Sequence, residues 1–77
     1  MEILLARNPN VDAGPEWALH AEVPGREPLY KEWDGGADEA GERARKAGVE
    51  ITGEWEEHGY LTWIAPAATT SQGDTRR

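Results

Sequence analysis

One segment of the chain combines the signals of a helix with apolar residues that are all small. Acidic residues occupy its first turn, bases its last turn, and Gly48 follows as a left-handed stop, so we predict a helix from Ala37 to Ala47. One face of this helix carries Ala37, Ala40, Gly41, Ala44 and Ala47. Such a flat face packs closely against bulky side chains. We therefore expect it to be covered by tryptophans: Trp17 and one or more of Trp33, Trp55 and Trp63.

Strands are predicted on both sides of the helix. Residues 1–7 have a mixed apolar pattern typical of a strand buried on both faces, and residues 17–23 alternate apolar with polar. Leu29–Trp33 alternates more weakly, and residues 49–56 and 60–65 form a hairpin. The order β-β-(β)-α-β-β predicts the α+β class, an antiparallel sheet of four to five strands with one helix packed on one face.

The hairpin register is predicted from its glycines. A three-residue loop, Glu57-His58-Gly59, with Gly59 left-handed would pair Glu56 with Tyr60. The same register sets Gly53 opposite Trp63, whose ring would shield the glycine backbone, and Ile51 opposite Ala65.

Length and composition indicate one small domain. We predict a single α+β domain over residues 1–65 and a disordered tail over 66–77, because no large apolar residue follows Pro66. The net charge is −7, and removing that tail, with Asp74, Arg76 and Arg77, makes it −8. This sign disfavours nucleic acid as a direct partner.

Several chemistries are missing from the chain. It has no cysteine, and its one serine, Ser71, lies in the predicted tail, so we expect no nucleophilic catalysis, no catalytic residues and no enzyme. The residues at the start do not form a signal peptide, and no apolar run is long enough to cross a membrane. We therefore expect a cytoplasmic protein without membrane contact.

Metal and cofactor sites are also not expected. His20 and His58 are the only histidines, and neither has a second histidine at ligand spacing. An alternative function remains open: a small-molecule or divalent-metal-binding domain that uses Trp33, His20, His58 and the hairpin glutamates.

The leading hypothesis is a small acidic protein-interaction module. The helix covers one face of the predicted sheet, and the other, open face would bind a basic protein partner by charge complementarity. The residues assigned to that contact are Glu16, His20, Glu22, Glu50, Glu54, Glu56 and Tyr60. Two alternatives are that the acids serve solubility alone and that an exposed edge strand forms a homodimer.

Part of the chain resembles a known family. Trp17-Ala18-Leu19-His20-Ala21-Glu22-Val23-Pro24-Gly25 and, after a short strand, Gly35-Gly36-Ala37-Asp38-Glu39-Ala40 resemble the core of HicB-type antitoxins. The resemblance spans residues 17–47, while the hairpin with Trp55 and Trp63 has no counterpart in that family. It implies a degenerate RNase H-like β-β-β-α fold, a protein partner and an antitoxin-like inhibitor.

Overall fold

The computed structural model describes residues 1–70, which form a six-stranded antiparallel sheet with one helix packed on one face. The strands are β1 (Glu2–Arg7), β2 (Trp17–Ala21), β3 (Leu29–Trp33), β4 (Val49–Ile51), β5 (Glu56–Gly59) and β6 (Thr62–Thr69). The helix begins as a 3-10 turn over Ala37–Glu39 and continues as α1 (Ala40–Lys46). The predicted class and helix are confirmed. The strand count rises to six because the strand predicted over residues 49–56 ends at Ile51, and Glu56 forms a separate strand, β5, with the predicted loop Glu57-His58-Gly59.

The order of the strands follows from their pairing. The sheet runs β3-β2-β1-β6, and β4 and β5 pair with successive parts of β6 along the edge opposite β1. The weak strand Leu29–Trp33 is present with its predicted bounds and forms the far edge. A second 3-10 turn, Val11–Ala13, lies in the loop between β1 and β2.

The core lies between the sheet and the small helix face. Ala44 is fully buried and Ala40 is 1% exposed, above inward residues of the strands such as Ile3 and Leu19. The expected tryptophans contribute to this core. Trp33 is one of its buried residues, at 5% exposed, and three half-buried tryptophans pack against the core: Trp17, Trp55 and Trp63. Alanine on the helix therefore allows the close approach that the sequence predicts.

The predicted hairpin register is wrong. Tyr60 and Leu61 form a two-residue turn between paired Gly59 and Thr62, and Leu61 takes the left-handed conformation at φ 53°. The structure also opposes Glu56 to Ile64, Glu57 to Trp63 and Ile51 to Ala67. The turn is held from outside, because the carbonyl of Leu61 accepts the N–H of Arg7 at 2.9 Å. The shifts relative to the prediction are even, at two residues in β4 and four at Glu56, so the same side chains still face the core.

The predicted boundary after residue 65 is also wrong. Strand β6 continues to Thr69, and Ala67 is 5% exposed. The N–H of Thr70 donates to the carbonyl of Gly48, on the edge of β6 that faces β4. Alternate residues of a strand direct their N–H groups to the same edge, so an N–H at Pro66 would point into the gap between β4 and β5. The proline therefore removes no bond of the sheet there. The Pro66 ring, rather than Trp63, lies against Gly53. The rest of the predicted tail, 71–77, lies outside the described residues.

Candidate functional site

The face of the sheet opposite α1, which we call the outer face, is formed by alternate residues of the strands. Leu4 lies between its partners His20 and Ile64, and His20 is in turn opposite Tyr30. Partners in a ladder project to the same side, so the pairing defines the whole face. Its members are Glu2, Leu4, Ala6, Ala18, His20, Tyr30, Glu32, Glu50, Glu56, Thr62, Ile64, Pro66 and Ala68.

The centre of the outer face is apolar and only half-buried. Leu4 and Ile64 form the floor of a shallow, open depression of about 370 Å³, with His20, Glu2 and Glu22 among its walls. A second depression of about 280 Å³ lies where the loop of residues 8–16 borders the face. The outer face therefore offers apolar surface inside a polar border.

Charge is sorted between the two sides of the sheet. The charged residues of the outer face are glutamates, and Glu22 joins them at its border. The bases of strands β1 and β3, Arg7 and Lys31, are at inward positions, since they continue the alternation of Leu5 and Leu29. Of the other bases among residues 1–70, three lie on α1, and Arg26 lies in the β2–β3 loop beside Gly48. The charged strand positions of the outer face are thus all negative, and Arg7 reaches the face only at the end beside the 8–16 loop, where its Nε is paired with Glu16.

The structure brings together part of the predicted site. His20, Glu50 and Glu56 are on the outer face and Glu22 is at its border. The other three predicted residues are placed differently: Glu16, Glu54 and Tyr60.

Each of those three departs for a local reason. Glu16 lies near the end of the face beside the 8–16 loop, and its Oε2 is paired with Nε of Arg7 at 2.9 Å. Glu54 falls in the gap between β4 and β5, because Pro66 interrupts that edge. Tyr60 is at the tip of the hairpin turn and is 84% exposed. All three residues therefore lie outside the strands: Glu16 before β2, Glu54 between β4 and β5, and Tyr60 after β5.

The sequence did not predict the residues of the outer face that belong to β1. Leu4 and Ala6 were predicted to be buried like Ile3 and Leu5, but they are half-buried on the outer face. The apolar run in β1 hides its period of two, and its polar side is visible only through the pairing with His20.

Strand β3 adds a pair that the site prediction omitted, although its alternation shows it. The hydroxyl of Tyr30 donates to Oε2 of Glu32 at 2.8 Å. This hydrogen bond to the carboxylate, with a lesser contribution from partial burial and the negative charge of Glu32, raises the pKa of the Tyr30 phenol. The ring of His20 meets the Tyr30 ring edge-on, with centroids 6.5 Å apart.

The residues of the alternative metal or small-molecule site are not brought together. Trp33 is in the core on the helix side, His20 is on the outer face, and His58 is exposed in β5. Within residues 1–70 no three histidine or carboxylate side chains are grouped as metal ligands. The arrangement gives no support to a divalent-metal site there.

Comparison of the chain with known protein families, with curated proteins and with solved structures finds no match. Among the described residues, no helix has the length and apolar character needed to cross a membrane.

Proposed function

We propose that this protein is a small acidic protein-interaction module whose outer face binds a basic protein partner. The observation that carries the proposal is the separation of charge across the sheet. Glutamates border the outer face, while the bases of residues 1–70 are at helix-side positions or in the β2–β3 loop, and only Arg7 reaches one end of the face, where it pairs with Glu16. A surface with charge of one sign accelerates encounter with an oppositely charged partner and disfavours partners of its own sign.

The apolar centre supplies what charge alone does not. Interfaces hold through a desolvated apolar centre surrounded by polar contacts that exclude water. Leu4 and Ile64 form such a centre, and His20 and Tyr30 add rings beside it. A partner that presents an apolar side chain between lysines or arginines fits this surface.

A finer proposal is that binding inhibits the partner, as an antitoxin inhibits its toxin. It rests on the resemblance of residues 17–47 to HicB-type antitoxins. Its test is genetic: a neighbouring reading frame for a small basic protein should arrest growth when expressed alone, and co-expression of this chain should restore growth. Continued arrest during co-expression would contradict the inhibitor proposal.

The experiment on the binding face uses two variants of equal charge. The first replaces Glu22, Glu50 and Glu56 with glutamine at the outer face, and the second replaces Glu27, Glu42 and Glu57 away from it. Basic proteins captured from the native lysate by the wild type are identified and purified, and their affinity for the three chains is measured. Both variants have a net charge of −4 instead of −7, so only the position of the lost charge differs.

We expect the outer-face variant to lose about tenfold or more in affinity, mainly through slower association, and the control variant to lose much less. Equal losses in the two variants would show that the partner responds to overall charge, and the outer-face proposal would be wrong. Unchanged affinity in both would exclude an electrostatic contact altogether.

A further inference from the structure

A separate feature lies on the helix side of the sheet, beyond the start of the helix. An open pocket of about 160 Å³ is lined by three indoles, those of Trp17, Trp55 and Trp63, together with Leu5 and Ala37. Its volume is smaller than that of sites for drug-sized ligands, so it admits a single compact group. The pocket does not contact the apolar centre of the outer face, because Leu5 and Trp63 are inward neighbours of Leu4 and Ile64.

Two of the three indoles are held in place by contacts within the protein. The indole N–H of Trp17 donates to the carbonyl of Gly35 at 2.9 Å, which ties the ring to the loop before the helix. Trp17 and Trp63 contact each other with centroids 6.1 Å apart and planes inclined at 46°. Because the two centroids are so close, one bound cation can lie within the roughly 6 Å range of cation–π attraction to both rings.

Two indoles of this chain already contact a cation, in each case an arginine of the protein. The guanidinium of Arg43 lies 5.0 Å from the centroid of Trp33, and that of Arg7 lies 5.9 Å from the centroid of Trp17. The charge of Arg7 is balanced by its ion pair with Glu16. Arg7 therefore leaves little net positive charge at the edge of the pocket.

The charges around the pocket favour a cation. Glu57 is the cross-strand partner of Trp63, so it lies on the same side of the sheet as the pocket. The whole chain has a net charge of −7. Clustered aromatic rings in a negatively charged protein are a chemistry that recognises alkylated ammonium groups, whose methyl surface is apolar and whose charge is positive.

We propose that the pocket of Trp17, Trp55 and Trp63 binds the quaternary ammonium head group of a small molecule. A methylated lysine within a peptide shares this chemistry, but its backbone would need hydrogen-bond partners beside the pocket. The backbones of Trp17 and Trp63 are paired with strands on both sides, so of the three tryptophans only Trp55, between β4 and β5, has its backbone outside the sheet. A lone head group needs no such partners.

The test is a titration of the full chain with choline and with its neutral isostere 3,3-dimethyl-1-butanol, followed by the indole N–H resonances. We expect choline to shift the resonances of the three pocket tryptophans in a saturable way and to leave Trp33 unshifted. The neutral isostere should bind at least about fivefold more weakly, because it lacks the cation–π attraction. Equal binding of the two, or no binding of choline, would overturn the proposal.

Variants separate the pocket from general effects. Trp55→Leu should weaken choline binding about fivefold or more, and Trp55→Phe should retain part of it. Tyr60→Leu removes an exposed aromatic ring outside the pocket and should leave the affinity unchanged. If a trimethyllysine peptide binds more tightly than choline, the assignment to a small molecule is wrong. These outcomes do not depend on the outer face, so either proposal can fail alone.

Discussion

Ala44 has no accessible surface, so a larger side chain at this position would meet the core beneath the helix. Ala40, one turn earlier, is 1% exposed, while the bulk that fills the core comes from the strands and from Trp33. The size of the helix residues was therefore informative in the sequence. Small residues on one helix face and indoles elsewhere predicted both the layer arrangement and the identity of its covering side chains.

Replacing Ala44 with leucine should destabilise the fold by about 1–3 kcal/mol, because a closely packed site cannot accept three further carbons without moving the helix. The free energy of unfolding in urea measures the effect. Arg45→Leu changes an exposed neighbour on the same helix and should stay within about 0.5 kcal/mol of the wild type. Similar losses in both variants would mean that Ala44 does not limit the helix–sheet distance.

Tyr30 gives a residue-scale check on the geometry of the outer face. Its hydrogen bond to Glu32 raises its pKa, since ionisation would remove the donated proton and place two negative charges together. Glu32→Ala should therefore lower the pKa of Tyr30, as followed by the ring resonances during a pH titration. Glu56→Ala, in β5 at the other side of the face, is the control and should leave it in place. An unchanged pKa in Glu32→Ala would contradict the contact.

At the scale of elements, strand β6 holds the sheet together and departs most from the sequence prediction. It pairs with β1 on one edge and with β4 and β5 on the other. A tail was expected from residue 66 because no large apolar residue follows it, and proline is also rare within a central strand. Here the missing donor of Pro66 faces the gap between β4 and β5, so the strand continues beyond it.

Gly53 tests the packing beside Pro66 of β6, and Gly41 in the helix is a control expected to respond in the opposite direction. A Cβ on Gly53 would lie 2.5 Å from Cγ of Pro66, so Gly53→Ala should destabilise the fold by about 1–3 kcal/mol. A Cβ on Gly41 would meet nothing within 4 Å, so Gly41→Ala in the helix should stabilise it by about 0.5–1 kcal/mol. Both are measured as midpoints of urea unfolding. A neutral Gly53→Ala would contradict the contact with Pro66.

The elements were predictable where local patterns decide them, and less so where distant pairing does. Helix signals around Ala37–Ala47 and the alternation in Leu29–Trp33 gave the correct bounds within a residue. The hairpin register was not readable, because Leu61 accepts a left-handed conformation that glycine would normally supply. The apolar centre at Leu4 was hidden as well, since an apolar run does not reveal which of its sides stays uncovered.

At the scale of the whole molecule, the charge distribution carries the functional argument. A net charge of −7 would by itself fit a merely soluble protein. Because the strand positions of the outer face carry glutamates and no bases, the negative charge is concentrated on that face. A basic partner bound there should show salt-dependent affinity. Affinity for the basic partner should fall steeply between about 0.05 M and about 1 M salt, because exposed charges are screened over a few ångströms at the higher value. Equal retention at both salt concentrations would contradict it.

The location of the contact on the outer face can be measured directly by titrating the labelled protein with its purified basic partner. The amide and methyl chemical shifts then show which residues are affected. We expect the largest changes on Leu4, His20, Ile64 and the glutamates around them, with the helix Ala40–Lys46 little affected. Changes centred on the helix or confined to the edge strand β3, with Leu4 and Ile64 unmoved, would show that the outer face is not the binding surface.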